Sequence, residues 1–340
     1  MTTLTNTTTR TGALAPLLGA APAARINVGV PQRVGALAVL PLFGPDHGAR
    51  VSSPREGIKL MRVEGYGNVE LRNDGGGVAI VPLHIGWIQD RAQNHALCRS
   101  ALLADGQTLM FRDACCVQAA QGGYLEGRDQ WFFVLPAELR ARALELRGVE
   151  SYSKLWNDIA ALNRDYGLRD RGHLEQLIAG RRAVLTQQAS RFEVLPAQTG
   201  AVVLYDDGTA PPSLLGVELC PSARYFADIW PALACFCYGP PAMASECARQ
   251  PAQPLEATRR SELRGALQAR RERADARVLE ALTSLPEQRF ETQVEERLLG
   301  LELSTVLSAT LCGQLVRDTA DAEGTALYAS LIARQPRASA

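Results

Sequence analysis

The sequence has no apolar run that approaches the roughly 20 residues needed to cross a bilayer, so an integral membrane protein is not expected. An excess of charge of one sign is also missing, since 36 basic residues balance 36 acidic ones. The whole chain therefore creates no field that would attract nucleic acid or an anionic membrane surface. Aromatic residues make up only 6% of the chain, and large aromatics in such a chain are more often core anchors than pocket walls.

Signatures of metal and nucleotide chemistry are also absent. There is no Cys-x-x-Cys pair and the histidines show no zinc spacing, so no metal site is expected. Neither a GxxxxGK nor a GxGxxG loop follows a strand, so no nucleotide cofactor is expected. Asp206 and Asp207 fit a hairpin turn better than a cation-binding loop. The eight cysteines lack the regular framework of a small secreted domain, which indicates reduced thiols in a cytoplasmic protein.

Changes in hydrophobic period along the chain predict an α+β fold with one compact domain at residues 25–332. Residues 1–24 are rich in Thr, Ala and Pro and predict a flexible tail, with a cleaved signal peptide as the alternative. Residues 333–340 form a second tail. In chain order the domain has a sheet-rich part (25–135), a helical part (136–192) and a hairpin with a helix (200–239). A linker (240–254), a long charged helix (255–284) and closing strands (288–332) follow.

Short β-type runs bounded by turn residues dominate the first part and predict a mainly antiparallel sheet system. Asp105 and Gly106 predict a tight hairpin between two of its strands. A period near 3.6 in the helical part predicts three helices, the third over residues 174–185. Pro231 should kink or divide the apolar helix that begins near Ser222. Two or three strands are expected to close the sheet system.

The linker and the long charged helix follow. Prolines among small residues between positions 239 and 254 predict a mobile loop. The helix after it has apolar residues on one face and arginines alternating with acidic residues elsewhere, which is typical of a packed helix with a solvated face. The alternative is an electrostatic partner, including nucleic acid. The apolar face comprises Leu263, Leu267, Ala274, Val278 and Leu282.

Several segments together resemble one bacterial family. They are LAVLPLFG, AQNHALCRSALLADGQTLMFRDACCVQ and GAVVLYDDG with LLGVELCPSARYFADIWPALA. Over residues 25 to 332 the chain resembles the ARG and rhodanese-phosphatase-superfamily-associated protein domain family, in which ARG denotes ADP-ribosylglycohydrolase. The family name records neighbours that handle ADP-ribose-like and phosphorylated molecules. The resemblance therefore implies an association and carries no established activity.

The family's hairpin motif, approximately Leu-Asp-Gly-Glu-Glu followed by Lys-Gln-Asn, corresponds here to LHIGWIQDRAQN. Gln93 and Asn94 are retained, whereas the acidic pair falls on Gly86 and Trp87 and the lysine falls on Ala92. The resemblance thus implies that this chain has lost the charged groups of the motif. That loss favours a binding or assembly role over acid–base catalysis.

A later Cys-Val step of the family matches Cys116 and Val117. Successive side chains of a strand point to opposite faces, so Cys115 and Cys116 are not expected to share a metal site. A nucleophilic cysteine would need a nearby base, which His84 or His95 on a neighbouring strand could supply. A buried structural thiol is the interpretation that we favour.

These observations lead to two hypotheses. The first is a non-catalytic binding protein or self-assembling scaffold, homo-oligomeric, with a further protein partner open and neither membrane nor nucleic acid expected. The alternative is a hydrolase or ligand-processing enzyme acting on an ADP-ribose-like or phosphorylated small molecule. Its candidate residues are Asp90 and Cys116 for catalysis and Trp87, Gln93 and Asn94 for ligand binding, with no metal or cofactor.

Overall fold

The computed structural model describes residues 10–11, 14–18, 25–88, 93–118, 131–248, 259–321 and 325–334. The strands that precede the helical part are β1 (Arg10–Thr11), β2 (Asn27–Val28), β3 (Gln32–Val34), β4 (Leu37–Phe43), β5 (Val51–Ser52), β6 (Ile58–Glu64), β7 (Asn68–Asn73), β8 (Val78–Val81), β9 (Ile85–Ile88), β10 (His95–Ala96), β11 (Ala101–Leu103), β12 (Thr108–Phe111), β13 (Cys115–Cys116) and β14 (Trp131–Val134). The later strands are β15 (Gly200–Tyr205), β16 (Ser213–Leu219), β17 (Glu291–Leu298), β18 (Leu301–Leu307), β19 (Leu311–Asp318) and β20 (Ala326–Ala333).

Short helices and one long helix complete the fold, and the α+β prediction is confirmed. None of the helices in the described ranges is long and apolar enough to cross a membrane. The helices are α1 (Ala15–Leu18), α2 (Pro54–Gly57), α3 (Ala137–Glu145), α4 (Trp156–Asp165), α5 (Glu175–Ile178), α6 (Arg182–Ala189), α7 (Ala223–Ala232), a π-helical turn (Leu233–Cys237), α8 (Gly239–Ala248) and α9 (Arg260–Thr283).

One large antiparallel sheet runs through the molecule. Its strand order is β1, β2, β4, β15, β16, β20, β19, β18, β17, and β3 also pairs with β4. Three smaller sheets have the orders β13-β10-β9-β14, β11-β8-β5 and β12-β7-β6. The N-terminal and C-terminal parts of the chain meet in the large sheet, because every residue of β15 pairs with a residue of β4.

The middle of the large sheet is covered on both faces. In β15, Val202 and Leu204 face one core, which includes residues of α1 and α9. Ala201 and Val203 face the other core, which includes residues of the smaller sheets and the central helices. Because alternate residues of a strand point to opposite faces, a strand is apolar at nearly every position only when both faces are buried. This explains the run GAVVLY.

The hairpin predicted at Asp105 and Gly106 is wrong as a strand pairing. Gly106 does form a turn with φ of 71°, but β11 pairs with β8 while β12 pairs with β7 in another sheet. The hairpin of β15 and β16 forms as predicted. In the turn of this hairpin, Asp206 forms ion pairs with Arg33 at 2.5 Å and with Arg277 at 3.1 Å. The two arginines compensate the negative charge of this carboxylate.

Two segments predicted to be mobile are ordered where the structure describes them. The predicted linker begins as helix α8, in which Pro240 and Pro241 occupy the first turn, where the missing N–H costs no intrahelical bond. In the predicted N-terminal tail, Leu14, Leu17 and Leu18 are buried against the large sheet. Both predictions were wrong for these residues because composition does not reveal an apolar surface elsewhere that a short segment can cover.

The remaining helices and strands differ in detail from the predictions. The third predicted helix is divided into α5 and α6, and four strands, β17 to β20, close the sheet. Pro231 lies in the last turn of α7, and the π-helical turn begins directly after α7. The regular α-helix is therefore interrupted next to Pro231, as predicted. In α9, Val278 and Leu282 are buried, whereas Leu263 and Leu267 are exposed. The prediction of one packed apolar face is therefore wrong for the N-terminal half of α9.

Candidate functional site

Three strands bring most of the predicted site residues to one corner of the four-stranded sheet. Trp87 of β9 lies opposite His95 of β10, which lies opposite Cys116 of β13, so the three side chains share one face of the sheet. Gln93 precedes β10, and its Oε1 lies 3.3 Å from Cys116 Sγ. We call these residues the Cys116 corner: Trp87, Gln93, His95 and Cys116.

Asn94 lies beside this corner, and its role in ligand binding stays a prediction. Its backbone N–H donates to Gln118 Oε1 at 2.7 Å, and its carbonyl accepts from the N–H of Val117 at 3.0 Å. The bond from Val117 continues the pairing of β10 and β13 by one residue. Asp90, the predicted catalytic carboxylate, lies outside the described residues, so its place relative to the corner stays a prediction.

The tautomer of His95 follows from its partner. Its Nδ1 lies 2.8 Å from the carbonyl of Gln93, and a carbonyl can only accept, so Nδ1 carries the proton and Nε2 is a base. Burial lowers the pKa of His95. Within the described ranges, neither His95 Nε2 nor the Trp87 Nε1–H group has a hydrogen-bond partner, although both are buried. A buried polar group without a partner costs about 1–3 kcal/mol, so these two atoms suit a ligand that supplies one donor and one acceptor.

The thiol of Cys116 is not activated in this arrangement. Burial raises its pKa, and its Sγ donates to the carbonyl of Gln118 at 2.9 Å. A base such as His95 would have to remove the thiol proton before the sulfur could attack a substrate. Cys115 faces the other side of the sheet, with its Sγ 3.3 Å from the carbonyl of Ala96, as strand alternation predicted. In the part of the chain that the structure describes, no three His, Cys, Asp or Glu side chains are placed to hold a metal ion.

A second polar cluster occupies the centre of the protein, and sequence reasoning missed it. Arg140 of α3 and Glu218 of β16 form a buried ion pair with an N–O distance of 2.6 Å. Arg140 also donates to Ser330 Oγ at 2.6 Å and to His84 Nδ1 at 3.2 Å. The hydroxyl of Tyr238 donates to Glu218 at 2.7 Å. We call these five residues the Arg140 cluster; they join a helix, two strands of the large sheet and the end of the π-helical turn.

One half of this cluster was visible in the sequence. Glu218 is the single charged residue in the run SLLGVEL, and a charge inside a strand buried on both faces needs a cationic partner. Arg140 gives no comparable signal, because the sequence of α3 also contains Arg142, which stays partly exposed and pairs with Glu145 at 3.1 Å. Only the packing of α3 on the sheet distinguishes the two arginines.

The walls of one cleft contain no member of either cluster. It has a volume of about 280 Å³ and opens between the C-terminal end of α3 and strands β17 and β18. Its walls include Leu144, Leu307 and Cys312, and Arg147 at its rim bonds to Glu295 at 2.9 Å. Burial raises the pKa of Cys312 to about 11, so this thiol is un-ionised at neutral pH.

The family model of the ARG and Rhodanese-Phosphatase-superfamily-associated Protein domain, ARPP-1, matches residues 25–312. The chain belongs to this family. The ARPP-1 match confirms the resemblance seen in the sequence and includes the whole Cys116 corner and every member of the Arg140 cluster except Ser330. No curated protein and no solved structure matches the chain. The function of this ARPP-1 protein must therefore be argued from its side chains.

Replacement of Arg140 by methionine should destabilise the protein strongly, because Glu218 would remain as an unpaired buried charge. We expect the free energy of unfolding to fall by about 3–5 kcal/mol, measured by denaturant unfolding followed by circular dichroism. Arg142→Met, on the same helix, is the matched control and should change this energy by less than about 1 kcal/mol. An equal loss of unfolding free energy in the two variants would show that the buried ion pair contributes no more to stability than the exposed one.

His84 should make stability depend on pH. Burial and the charge of Arg140 lower its pKa well below 6.5, so the unfolded chain binds a proton near pH 6.5 that the folded chain does not. The free energy of unfolding should therefore fall as the pH drops below 6.5, by up to about 1.4 kcal/mol per pH unit.

The variant His84→Asn isolates this contribution. The residue has a φ of 62°, which asparagine tolerates, and asparagine does not titrate. Unfolding measured between pH 6.5 and about pH 5 should show a smaller slope in this variant than in the parent protein. Burial also lowers the pKa of His95 and of His173. The slope of His84→Asn is therefore compared with that of His173→Asn as well as with that of the parent protein. An unchanged slope in His84→Asn would contradict the expectation.

Proposed function

We propose that this ARPP-1 protein is a non-catalytic binding protein that assembles with a second copy of itself through the N-terminal half of α9. In this half, residues 260–273, every side chain is exposed except two half-buried alanines. Leu263 is 40% exposed and Leu267 is 50% exposed. Two leucines one helical turn apart form an apolar strip that water does not favour.

The attachment of α9 supports this proposal. Its C-terminal half is held by the buried Val278 and Leu282 and by hydrogen bonds from Arg33 to the carbonyl of Ala274 and from Arg277 to Asp206. In the N-terminal half, by contrast, Leu263 and Leu267 are exposed. An isolated helix shorter than about 12–15 residues is marginal in water. A partner that covers the two leucines would stabilise this half of the helix.

Charge complementarity favours a second copy as the partner. The exposed half of α9 is basic, and the edge strand β17 is mainly acidic with exposed aliphatic residues beside it. Val294 of β17 is 44% exposed and Leu307 of β18 is 40% exposed. The helix of one copy therefore matches the edge of the next in both charge and apolar surface. This half of the helix carries Arg260, Arg264, Arg270, Arg271 and Arg273 against Glu262 and Glu272, and β17 carries Glu291, Glu295 and Glu296 against Arg297.

The double substitution Leu263→Gln with Leu267→Gln tests this proposal. Burial of a leucine contributes about 1.5–3 kcal/mol, so loss of both should raise the dissociation constant of the assembly at least about 100-fold. Analytical ultracentrifugation at micromolar concentration measures the mass: the parent chain should exceed the mass of one chain and the double variant should not. A parent chain that stays monomeric throughout would overturn the proposal.

Gly265→Ala is the matched control on the same helix. Position 265 lies about 200° around the helix from position 263, and a Cβ there would meet no atom within 4 Å. Alanine should strengthen the helix by about 1 kcal/mol, so assembly should persist or become tighter. High salt should weaken assembly, because the proposed contact pairs a basic helix with an acidic edge. Loss of assembly in the Gly265→Ala variant would contradict the proposed face.

A second candidate is a hydrolase or ligand-processing enzyme acting on an ADP-ribose-like or phosphorylated small molecule. The observation that favours it is the pair of buried atoms without partners, Trp87 Nε1 and His95 Nε2, on the same face as Cys116. A thiol beside an imidazole whose other nitrogen is fixed by a carbonyl has the parts of a nucleophile with its base. Gln93 would then orient the thiol from the side.

This second candidate predicts turnover that depends on the corner. The full chain should convert ADP-ribose or a phosphorylated nucleoside to a new product, detected by mass spectrometry. Cys116→Ser and His95→Gln should each lower the rate by about 100-fold or more, because each removes one of the two reacting groups. Cys220→Ser, a buried thiol outside the corner, is the control. Product formation that is unaffected by Cys116→Ser would exclude this mechanism.

A further inference from the structure

The cleft between α3 and strands β17 and β18 is the open end of a small apolar layer. A row of side chains crosses one face of the large sheet there, because Cys312 of β19 pairs with Ile332 of β20 on one side and with Leu307 of β18 on the other. Leu144 of α3 packs against the inner end of this row. The exposed fraction is 1% at Ile332 and 4% at Cys312, and it rises to 40% at Leu307. Helix α3 thus leaves the outer part of an apolar floor uncovered.

Arg147, which follows α3, holds the two sides of the cleft together. Its Nε donates to Glu295 at 2.9 Å and its Nη2 donates to Gln293 at 2.9 Å, both in β17. Its Nη1 donates to the carbonyl of Leu144 at 3.2 Å. Glu295 compensates the charge of this arginine. The end of α3 is therefore fixed to the edge strand, and an incoming group meets a surface that needs little reorganisation.

The rim of the cleft carries a carboxylate on two sides. Glu145 ends α3, and Glu291 begins β17 beside Leu307 in the strand register. Both glutamates are exposed, and the carbonyl end of α3 adds to the negative potential. Arg334, the second arginine of the walls, donates to a backbone carbonyl of the turn between β18 and β19 at 2.9 Å. An occupant that is apolar in its middle and basic at its ends matches this rim.

The N-terminal half of α9 has this pattern. Arg260 lies three residues before Leu263, and Arg271 lies four residues after Leu267. Side chains at these spacings are neighbours on one side of a helix, so the two exposed leucines lie between two guanidinium groups. From residue 260 to residue 271 the strip is about 16 Å long.

We propose that the cleft receives the two leucines of α9 from a second copy, with the flanking arginines beside the carboxylates of the rim. This inference rests on the proposed self-assembly and names the surface to which the helix binds. The contact covers the exposed leucines and the exposed part of the apolar floor together, so both surfaces leave water in one step. The cleft volume of about 280 Å³ lies below the roughly 300–1,000 Å³ of pockets that bury whole small molecules. Side chains of a second copy suit it better than a free ligand.

A pair of introduced cysteines tests this contact. Glu145→Cys places a thiol on the α3 side of the rim, and Leu267→Cys places one in the apolar strip. The full-length double variant is treated with a short bismaleimide at a concentration at which ultracentrifugation shows it to be assembled. Denaturing electrophoresis should then show a band of twice the chain mass, in which mass spectrometry identifies peptides linked through positions 145 and 267.

Glu145→Cys combined with Gly265→Cys is the matched control. Position 265 lies about 200° around the helix from position 267, so its thiol should face away from the cleft and give little of the linked product. The parent chain and the two single variants measure the background from the native cysteines.

A cleft-filling variant tests the same contact without a change in α9 or β17. Ala141→Phe adds a ring to the α3 wall of the cleft. It should raise the dissociation constant of the assembly about tenfold or more in ultracentrifugation, because the ring leaves no room for a leucine. Arg142→Phe adds the same ring at the next position of α3, which is not part of the cleft walls, and should assemble like the parent chain. Thermal unfolding shows whether each variant is folded.

The outcomes separate this inference from the proposed function. A parent chain that stays monomeric overturns both. A parent chain that assembles through Leu263 and Leu267, while the 145–267 crosslink stays at the level of the Gly265→Cys control, overturns the cleft as the receiving surface and leaves the assembly in place. A folded Ala141→Phe variant that assembles as tightly as the parent chain has the same consequence. If that variant does not fold, the crosslink alone decides.

Discussion

The ion pair between Arg140 and Glu218 lies where the layers of the protein meet. It connects α3 to β16 of the large sheet, and its hydrogen bonds extend to Ser330 of β20 and to Tyr238 after the π-helical turn. Two opposite charges at 2.6 Å in a buried site attract each other strongly, and either charge alone would be very costly there. The helix and the two strands can therefore be displaced only together.

The position of the Cys116 corner depends on that pair through one residue. His84 accepts a hydrogen bond from Arg140 and immediately precedes β9, which carries Trp87. Its carbonyl accepts from the backbone of Leu135, just before α3. The strand with Trp87 is thus connected at its beginning to the same helix that carries Arg140. The two polar clusters of the protein are parts of one connected framework.

Much of the architecture could be predicted because hydrophobic period reports local structure. The α+β class, the hairpin of β15 and β16 and the interruption at Pro231 were all visible in the sequence. Strand partners were not, since the Asp-Gly turn at Asp105 is compatible either with a hairpin or with passage between sheets, and only long-range packing decides. The same limit applies to α8, whose prolines begin a helix, and to Leu263, whose exposure no periodic pattern could reveal.

The site was predicted in part for the same reason. Family motifs pointed to Gln93 and Cys116, and strand alternation placed Cys115 and Cys116 on opposite faces. The partnership of Cys116 with His95 was one of several open possibilities, because register between short strands is not encoded locally. Arg140 had no signal at all. Its importance arises from Glu218, which lies 78 residues away in the chain and becomes its neighbour only in the folded state.

The pairing of β4 with β15 also determines how the chain can come apart. If the chain were cut in the helical region between them, separation of the two fragments would divide the large sheet lengthwise and expose two long hydrogen-bonding edges with apolar residues on both faces. Neither fragment would keep a closed core, so proteolysis in that region is expected to yield a nicked but associated molecule. Loss of structure should then be a single cooperative event in which both fragments unfold together.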